Sequence, residues 1–255
     1  MPNILKNILI LGGTGEAREL AQRIHTSIGK RVKITSSLVG MRSKPPILPG
    51  KVRYGGFGGV PGLTSYLSKK NIDMVIDATH PFSKNISKNA TIACGDSKNG
   101  GIPRLLLTRA LWNIPPSAKW IEVENLKTAA NHLLGNSRRV FLTTGLRGLN
   151  NFSDCTDLWF LIRLIDQPVE TLPLNDFKVI IGRPPYDLKQ ELSILSEHSI
   201  DTLVAKHAGG RATEAKILAA SKAGVKIVLI RRPALEPGPL AETVDEALKW
   251  VKDRL

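Results

Sequence analysis

The sequence predicts an α/β protein: two similar Rossmann-like domains with mostly parallel sheets and an interdomain cleft. Three observations carry this. Short apolar, β-branched runs alternate with stretches whose apolar residues recur at helical spacing, as βαβ units require. The first such run enters a glycine turn at once, in "ILILGGTGEAREL", residues 8–20. The second half of the chain then repeats the first, element by element.

Residues 8–11, 32–36, Met74–Asp77 and Arg104–Leu107 read as buried parallel strands, because they are apolar on both faces. Residues 16–25, 63–70 and 86–94 have helical spacing, and Lys51–Tyr54 reads as a further strand. "VRYGGF…LTSYLSKKNIDMVIDATH" is echoed by "VIIGRP…LKQELSILSEHSIDTLVAKH", which sets Asn71-Ile72-Asp73 opposite Ser199-Ile200-Asp201. "GIPRLLLTRAL" matches "GVKIVLIRRPA", so Arg109 falls opposite Arg232. "ENLKTAANHLL" matches "ETVDEALKWVK", and residues 9–13 match 141–145, "FLTTG". Buried strands resemble one another in composition alone, so the shared order of the matches is what argues for a repeat. The polar turn Gly135-Asn136-Ser137 predicts a boundary, with one domain over 1–136 and the other over 137–255. The helix at 125–134 can pack on either domain, and its C-terminal counterpart can cross over.

A chain of 255 residues is long enough for two small cores. Hydrophobic content of 42% and charged content of 23% fit a soluble globular protein. No apolar run approaches a membrane span, and the run at 8–11 is too short for a secretory signal. Cys94 and Cys155 alone make no disulfide framework, which favours the cytoplasm. The five histidines lack ligand spacing, and we expect no metal. The net charge of +14 is the outlier and implies acidic partners. Lys and Arg are scattered, however, and aromatics are only 5%, which argues against nucleic acid. A polyanionic small molecule with a phosphate-bearing cofactor would use the same charge. No Gly-x-Ser-x-Gly elbow or phosphate-loop Gly-Lys-Ser/Thr occurs.

Gly12 and Gly13 let backbone amides approach a pyrophosphate, Thr14 adds a hydroxyl, and Glu16 opens the helix behind them. Arg18 stands where the dinucleotide fingerprint has its third glycine, a residue that serves helix–strand packing rather than phosphate. The second strand ends in Ser36 and Ser37 with no carboxylate for a ribose, and Arg42, Lys44 and Arg53 follow. That combination suits the 2′-phosphate of NADP. "GGFGG" (Gly55, Gly56, Phe57, Gly58, Gly59) reads as a loop where backbone meets a flat ligand. "DATHPFS" puts Thr79 and His80 at a strand's carboxyl end, where His80 can bind a carboxylate or give a proton. In the second half Thr143 and Thr144 repeat the opening turn. Arg163, Arg183, Lys206 and Arg232, with Arg109 from the first half, would form a cationic crevice. Each feature also has a plainer reading, as a tight turn, a helix cap or a surface cation.

Together these motifs resemble the precorrin-6A reductase family of corrin-ring (cobalamin) biosynthesis. The resemblance rests on "ILILGGTGEAREL", "SLVGMRSKP", "GGFGG", "IDMVIDATHPF", "VFLTTG", "WFLIRLID", "GRPPY", "KHAGG" and "VLIRRPAL", spread over nearly the whole chain. It implies NADPH on the first domain and reduction of one ring double bond in a polycarboxylate tetrapyrrole held in the cleft. His80, Lys206 or water would give the proton. Two departures stand out. Met41 precedes Arg42 where the family has Arg directly after glycine, and His207-Ala208 replaces the family's Asn-Ser after Lys206. The expected partner is thus an anionic tetrapyrrole, with no nucleic acid and no membrane. The chain is expected to be a monomer, with a dimer as the alternative. A non-catalytic NADP(H)-binding sensor, or another NADP-dependent reductase of an anionic substrate, is the competing reading. The residues do not separate a metal-free ring from a cobalt-bearing one.

Overall fold

The computed structural model describes residues 5–40, 47–95 and 101–255. Along the chain come β1 (Lys6–Leu11), α1 (Gly15–Ile28), β2 (Val32–Leu38), β3 (Lys51–Tyr54), α2 (Gly59–Lys69), β4 (Met74–Asp77), α3 (Lys84–Gly95) and β5 (Arg104–Leu107). Then follow β6 (Trp120–Val123), α4 (Leu126–Leu133), β7 (Arg139–Leu142), β8 (Trp159–Leu164), β9 (Asp176–Ile181), α5 (Leu188–Glu197) and β10 (Thr202–Lys206). The chain ends with α6 (Ala215–Lys222), β11 (Lys226–Ile230), β12 (Leu240–Ala241) and α7 (Val244–Lys252).

The strands form two parallel sheets of six, ordered β12-β5-β4-β1-β2-β3 and β6-β11-β10-β7-β8-β9. The two orders correspond position by position, as the internal repeat predicts. In the first sheet β1 is apolar throughout because both faces are covered. Ile8 and Ile10 face α1 and α7 through Leu20, Ile24, Ala247 and Val251. Leu9 and Leu11 face α2 and α3 through Leu63, Leu67, Ala90 and Ala93. Alternation of side chains along a strand divides one apolar run between two cores.

The repeat extends to backbone detail. Asn71 (φ 46°) and Ser199 (φ 49°), aligned in sequence, are both left-handed. Each precedes a strand by the same route: Asp73 accepts from the Asn7 amide at 2.7 Å, and Asp201 accepts from the Arg138 and Arg139 amides at 2.8 Å. Gly13 and Gly145 likewise share positive φ after β1 and β7. The repeat breaks there, however. β1 leads into a helix of 14 residues, whereas the turn after β7 leads into a short 3₁₀ turn, Leu149–Phe152. The second turn repeats the first in its backbone but has no long helix directly behind it.

The domain boundary expected at 136–137 is corrected. One compact unit is Met1–Ala110 with Pro233–Leu255, and the other is Leu111–Arg232. After β5 the chain leaves the first unit, and β6 extends the second sheet beside β11. After β11 it returns, and β12 extends the first sheet beside β5. The two β–α pairs matched in sequence are thus exchanged. The reason is local burial: Ala241, Val244, Ala247, Leu248 and Val251 join the core of Ile8 and Ile10.

Candidate active site

The turn after β1 lies where strand order reverses, since β1 sits between β4 and β2. In a doubly wound sheet that reversal opens a crevice at the carboxyl edge. The Gly12 amide donates to Ser37 O in β2 (2.9 Å), and Thr14 Oγ1 donates to Ala78 O just past β4 (2.7 Å). The same Thr14 oxygen accepts from the Ala17 amide at 3.1 Å and caps α1. A hydroxyl has one proton, so Thr14 anchors the turn and has no proton for a phosphate, contrary to expectation. Gly13 is exposed at φ 115° with open space where a Cβ would stand. Of the first-turn amides of α1, that of Ala17 is taken by the Thr14 cap, and those of Gly15 and Glu16 are placed where a helix N-terminus can receive an anion.

The missing third glycine finds its account at this turn. Arg18 is exposed, and the tight helix-to-strand approach lies earlier, where a Cβ on Gly12 would meet Ala17 Cβ at 3.4 Å. Gly12 and Ala17 do the packing that the fingerprint assigns to its last glycine. Glu16 and Arg109 meet each other at 3.1 Å, largely shielded from solvent. Burial pulls the Arg109 pKa down and Glu16 partly restores it. The one residue was expected on the cofactor and the other on the substrate; the structure instead pairs them.

Arg53 organises the glycine loop. It donates to Ser37 Oγ (2.7 Å), Gly55 O (3.0 Å) and Gly56 O (2.9 Å), and its guanidinium lies 3.8 Å over the Phe57 ring. Tyr66 meets the same ring edge-on, with centroids 5.2 Å apart. Phe57 is therefore half-buried between Arg53 and Tyr66 as a packing residue, while Gly56 and Gly58 on either side of it are exposed. Gly58, left-handed at φ 79°, precedes α2. Ser36 is buried and its hydroxyl has no partner. Arg42 and Lys44 lie outside the described residues.

At the end of β4, Asp77 is fully buried and accepts from the Thr79 hydroxyl at 2.7 Å. His80 is exposed, and its Nδ1 accepts from the Phe82 amide at 3.2 Å, so the neutral ring carries its proton on Nε2. A cleft beside it is lined by Thr79, His80, Ser87, Leu107, Thr108 and Pro233 among others, all in the first unit.

The second unit has its own carboxyl edge. Thr143 Oγ1 donates to Val204 O (3.0 Å) and accepts from Lys216 Nζ (3.2 Å). Its proton too is committed, and its oxygen holds the Lys216 ammonium. Thr144 is buried with an unpartnered hydroxyl. Lys206 ends β10; burial first, and then the Arg147 charge, lower its pKa below the ordinary lysine value. Arg163 is corrected from the crevice. It is buried in β8 and forms a two-pronged ion pair with Glu191 (2.7 and 3.1 Å), so its charge is neutralised in place. Arg183 pairs with Asp166 at 2.6 Å on the surface. Arg232 donates to Ala208 O (2.6 Å) and braces the turn after β10. His207, the departure noted in the sequence, turns inward: it stacks on Trp112 at 5.9 Å and its Nδ1 lies 3.3 Å from Glu122.

Among the described residues no helix is long and apolar enough to cross a membrane, and no group of three or more His, Cys, Asp or Glu is placed to hold a metal. The family model described as "Precorrin-6x reductase CbiJ/CobK" matches residues 7–252. The chain belongs to the CbiJ/CobK precorrin-6x reductase family. A "Precorrin-6A reductase" of Rhodococcus erythropolis is 41% identical over 250 residues, covering 97% of this chain and 98% of that protein. One of Mycobacterium tuberculosis is 40% identical over 248 residues, with the same coverage. The solved structure "CobK precorrin-6A reductase" superposes with a TM-score of 0.90 at 35% identity, over 98% of this chain and 97% of that one.

For a CbiJ/CobK-family oxidoreductase the first edge fits a dinucleotide: an open glycine turn at a helix N-terminus, and buried serines in place of the ribose-binding acid. Sequence reasoning missed Lys216, Glu191, Gly62 and Thr108. Lys216 and Glu191 sit on helices as ordinary polar letters, and only the fold buries them. Gly62 had a faint signal, as the glycine of the "GL" after "GGFGG".

Proposed function

We propose that the chain reduces one ring double bond of metal-free precorrin-6A to the dihydro product, with NADPH as reductant. The observation that carries this is 40–41% identity over 97% of the chain with proteins named for that reaction. Bound NADPH supplies a hydride to one carbon of the double bond, and a proton completes the neighbouring carbon. The Gly12–Gly13 turn and the α1 amides hold the pyrophosphate. The end of β2, free of acid at Ser36 and Ser37, leaves room for a 2′-phosphate. The Gly55, Gly56 and Gly58 backbone closes on the adenosine end. His80 Nε2 gives the proton, directly or through water. On the second unit Lys206, Lys216 and Thr144 bind carboxylates of the substrate, with Arg232 holding the turn that follows Lys206. Such charged clamps orient a large substrate, and positioning does most of the work that the cofactor does not.

The test is nucleotide oxidation with metal-free and cobalt-bearing precorrin-6A, each with NADPH and NADH. Turnover of the metal-free ring with NADPH at the highest kcat/KM is expected. NADPH binding without consumption beside either ring would make the chain a sensor, and preference for the cobalt ring would move the substrate assignment.

Lys206 adds a pH dependence. Because its pKa is lowered, its charge is lost as pH rises through a value below the ordinary lysine range. KM for the polycarboxylate substrate should therefore climb before an exposed lysine would titrate. Lys206→Arg, which stays charged, should flatten that climb; an unchanged profile would remove Lys206 from the site.

A further inference from the structure

His207 follows Lys206 at the carboxyl edge of the second sheet, yet it is only 6% exposed. Its Nδ1 lies 3.3 Å from one Glu122 oxygen, and the other Glu122 oxygen accepts from Arg231 Nε at 2.8 Å. The hydrogen bond from Arg231 first, and then that from His207, hold the Glu122 carboxyl below its usual range. An ionised carboxylate only accepts, so the imidazole proton sits on Nδ1. Nε2 is buried with no partner among the described residues, and a bare nitrogen there avoids a stranded N–H. The ring so oriented stacks on Trp112, with centroids 5.9 Å apart and 23° between planes, and Trp120 meets it edge-on at 6.4 Å.

Trp112 in turn holds two parts of the edge. Its indole N–H donates to Gly210 O at 2.9 Å, and the Lys216 ammonium lies 5.2 Å from its ring centroid, within cation–π range. The turn it grips contains two left-handed glycines, Gly209 (φ 72°) and Gly210 (φ 85°), whose backbone has other conformations open to it unless it is held. Arg232 holds the same turn at His207 O (3.4 Å) and Ala208 O (2.6 Å). Trp112 and Arg232 lie where the chain enters and leaves the unit Leu111–Arg232, so both ends of that unit fasten this one turn. His207 and Ala208, the two departures from the family, are both buried and act on the edge through packing. We propose that His207 and Trp112 are positioning residues for substrate binding: the imidazole packs the indole in place, and the indole fixes the turn at 207–210 and seats the Lys216 ammonium. Neither ring touches the substrate. The inference rests on the reading of Lys206 and Lys216 as carboxylate binders.

Steady-state kinetics on the full chain with NADPH and metal-free precorrin-6A tests it, with NADPH Kd from titration calorimetry as the control. Trp112→Phe keeps a ring beside Lys216 and removes the bond to Gly210 O. Loss of one buried hydrogen bond corresponds to about five- to tenfold in affinity. KM for precorrin-6A should rise by about that factor, with kcat and NADPH Kd unchanged. His207→Asn keeps an N–H for Glu122 but loses the stack, and should raise KM as well. His207→Phe keeps the stack and should hold KM near wild type. The indole N–H resonance that Trp112→Phe removes from the nitrogen–proton NMR spectrum should move in His207→Asn and stay in His207→Phe. If Trp112→Phe does not fold, the two His207 variants decide by the same comparison. Unchanged KM in Trp112→Phe or His207→Asn, a raised KM in His207→Phe, or a matching loss of NADPH affinity overturns the proposal. Lys216→Met separates that failure from failure of the underlying reading. A raised KM there keeps Lys216 on the substrate whatever Trp112 does, and an unchanged KM removes Lys216 and the positioning role with it.

Discussion

Glu191→Ala is expected to lower stability by about 3–5 kcal/mol, because it leaves the Arg163 charge buried and unpaired. Side-chain exposure at the pair is 5% and 2%, and Arg163 also lies 4.7 Å from the Phe141 ring and 4.1 Å from the Tyr186 ring. Water cannot replace the lost carboxylate without opening this sandwich. For a domain stable by about 5–15 kcal/mol that is a large fraction, and thermal denaturation should show a fall in Tm of about 10 °C. The double variant Arg163→Met with Glu191→Leu removes both charges and keeps the volume. It should recover most of the loss, since an apolar pair avoids the desolvation cost. Its KM for the tetrapyrrole should stay near wild type. Failure to recover would show that the pair's geometry, and not the stranded charge, sets the cost; a raised KM would return Arg163 to the substrate clamp.

Gly62→Ala is expected to be severely damaging. The new Cβ would collide with the Phe57 carbonyl oxygen, a backbone atom that cannot swing aside. Either α2 or the glycine loop must move, so Tm and NADPH affinity should fall together. Gly56→Ala is the informative partner. Nothing lies within 4 Å of its Cβ position, and its φ is not in the left-handed region. The fold accommodates that methyl, so stability should hold within the small range of surface substitutions, about 0.5 kcal/mol. NADPH affinity should nevertheless drop if backbone at Gly56 meets the cofactor. Unchanged affinity would leave the loop a structural turn held by Arg53.

Which features could be read from residues alone follows from the range of the forces that make them. Strand and helix runs depend on neighbours within a few residues, and β3 and β4 begin and end where the sequence places them. The repeat was legible because paired elements must satisfy the same local geometry; the shared left-handed residues at Asn71 and Ser199 are an instance. Family membership was legible because its motifs lie at strand ends, where few residue types fit. The roles of individual hydroxyls and cations were much less so. Thr14, Thr143, Arg53 and Arg163 look like ligand groups in a string of letters, yet each is engaged by an atom far away in sequence.

By itself, then, the sequence determined the parallel α/β class, the twofold repeat, the open glycine turn at Gly13 and the family. Tertiary structure alone decided that the terminal β–α pairs change units, that Gly12 and Ala17 replace the third glycine, and that Arg163 belongs to Glu191. It also decided that Lys216 and Thr108 are buried at the two carboxyl edges. The physical reason is that backbone conformation is set by near neighbours, whereas the partner of a buried charge or hydroxyl is whichever group the packed chain brings within reach.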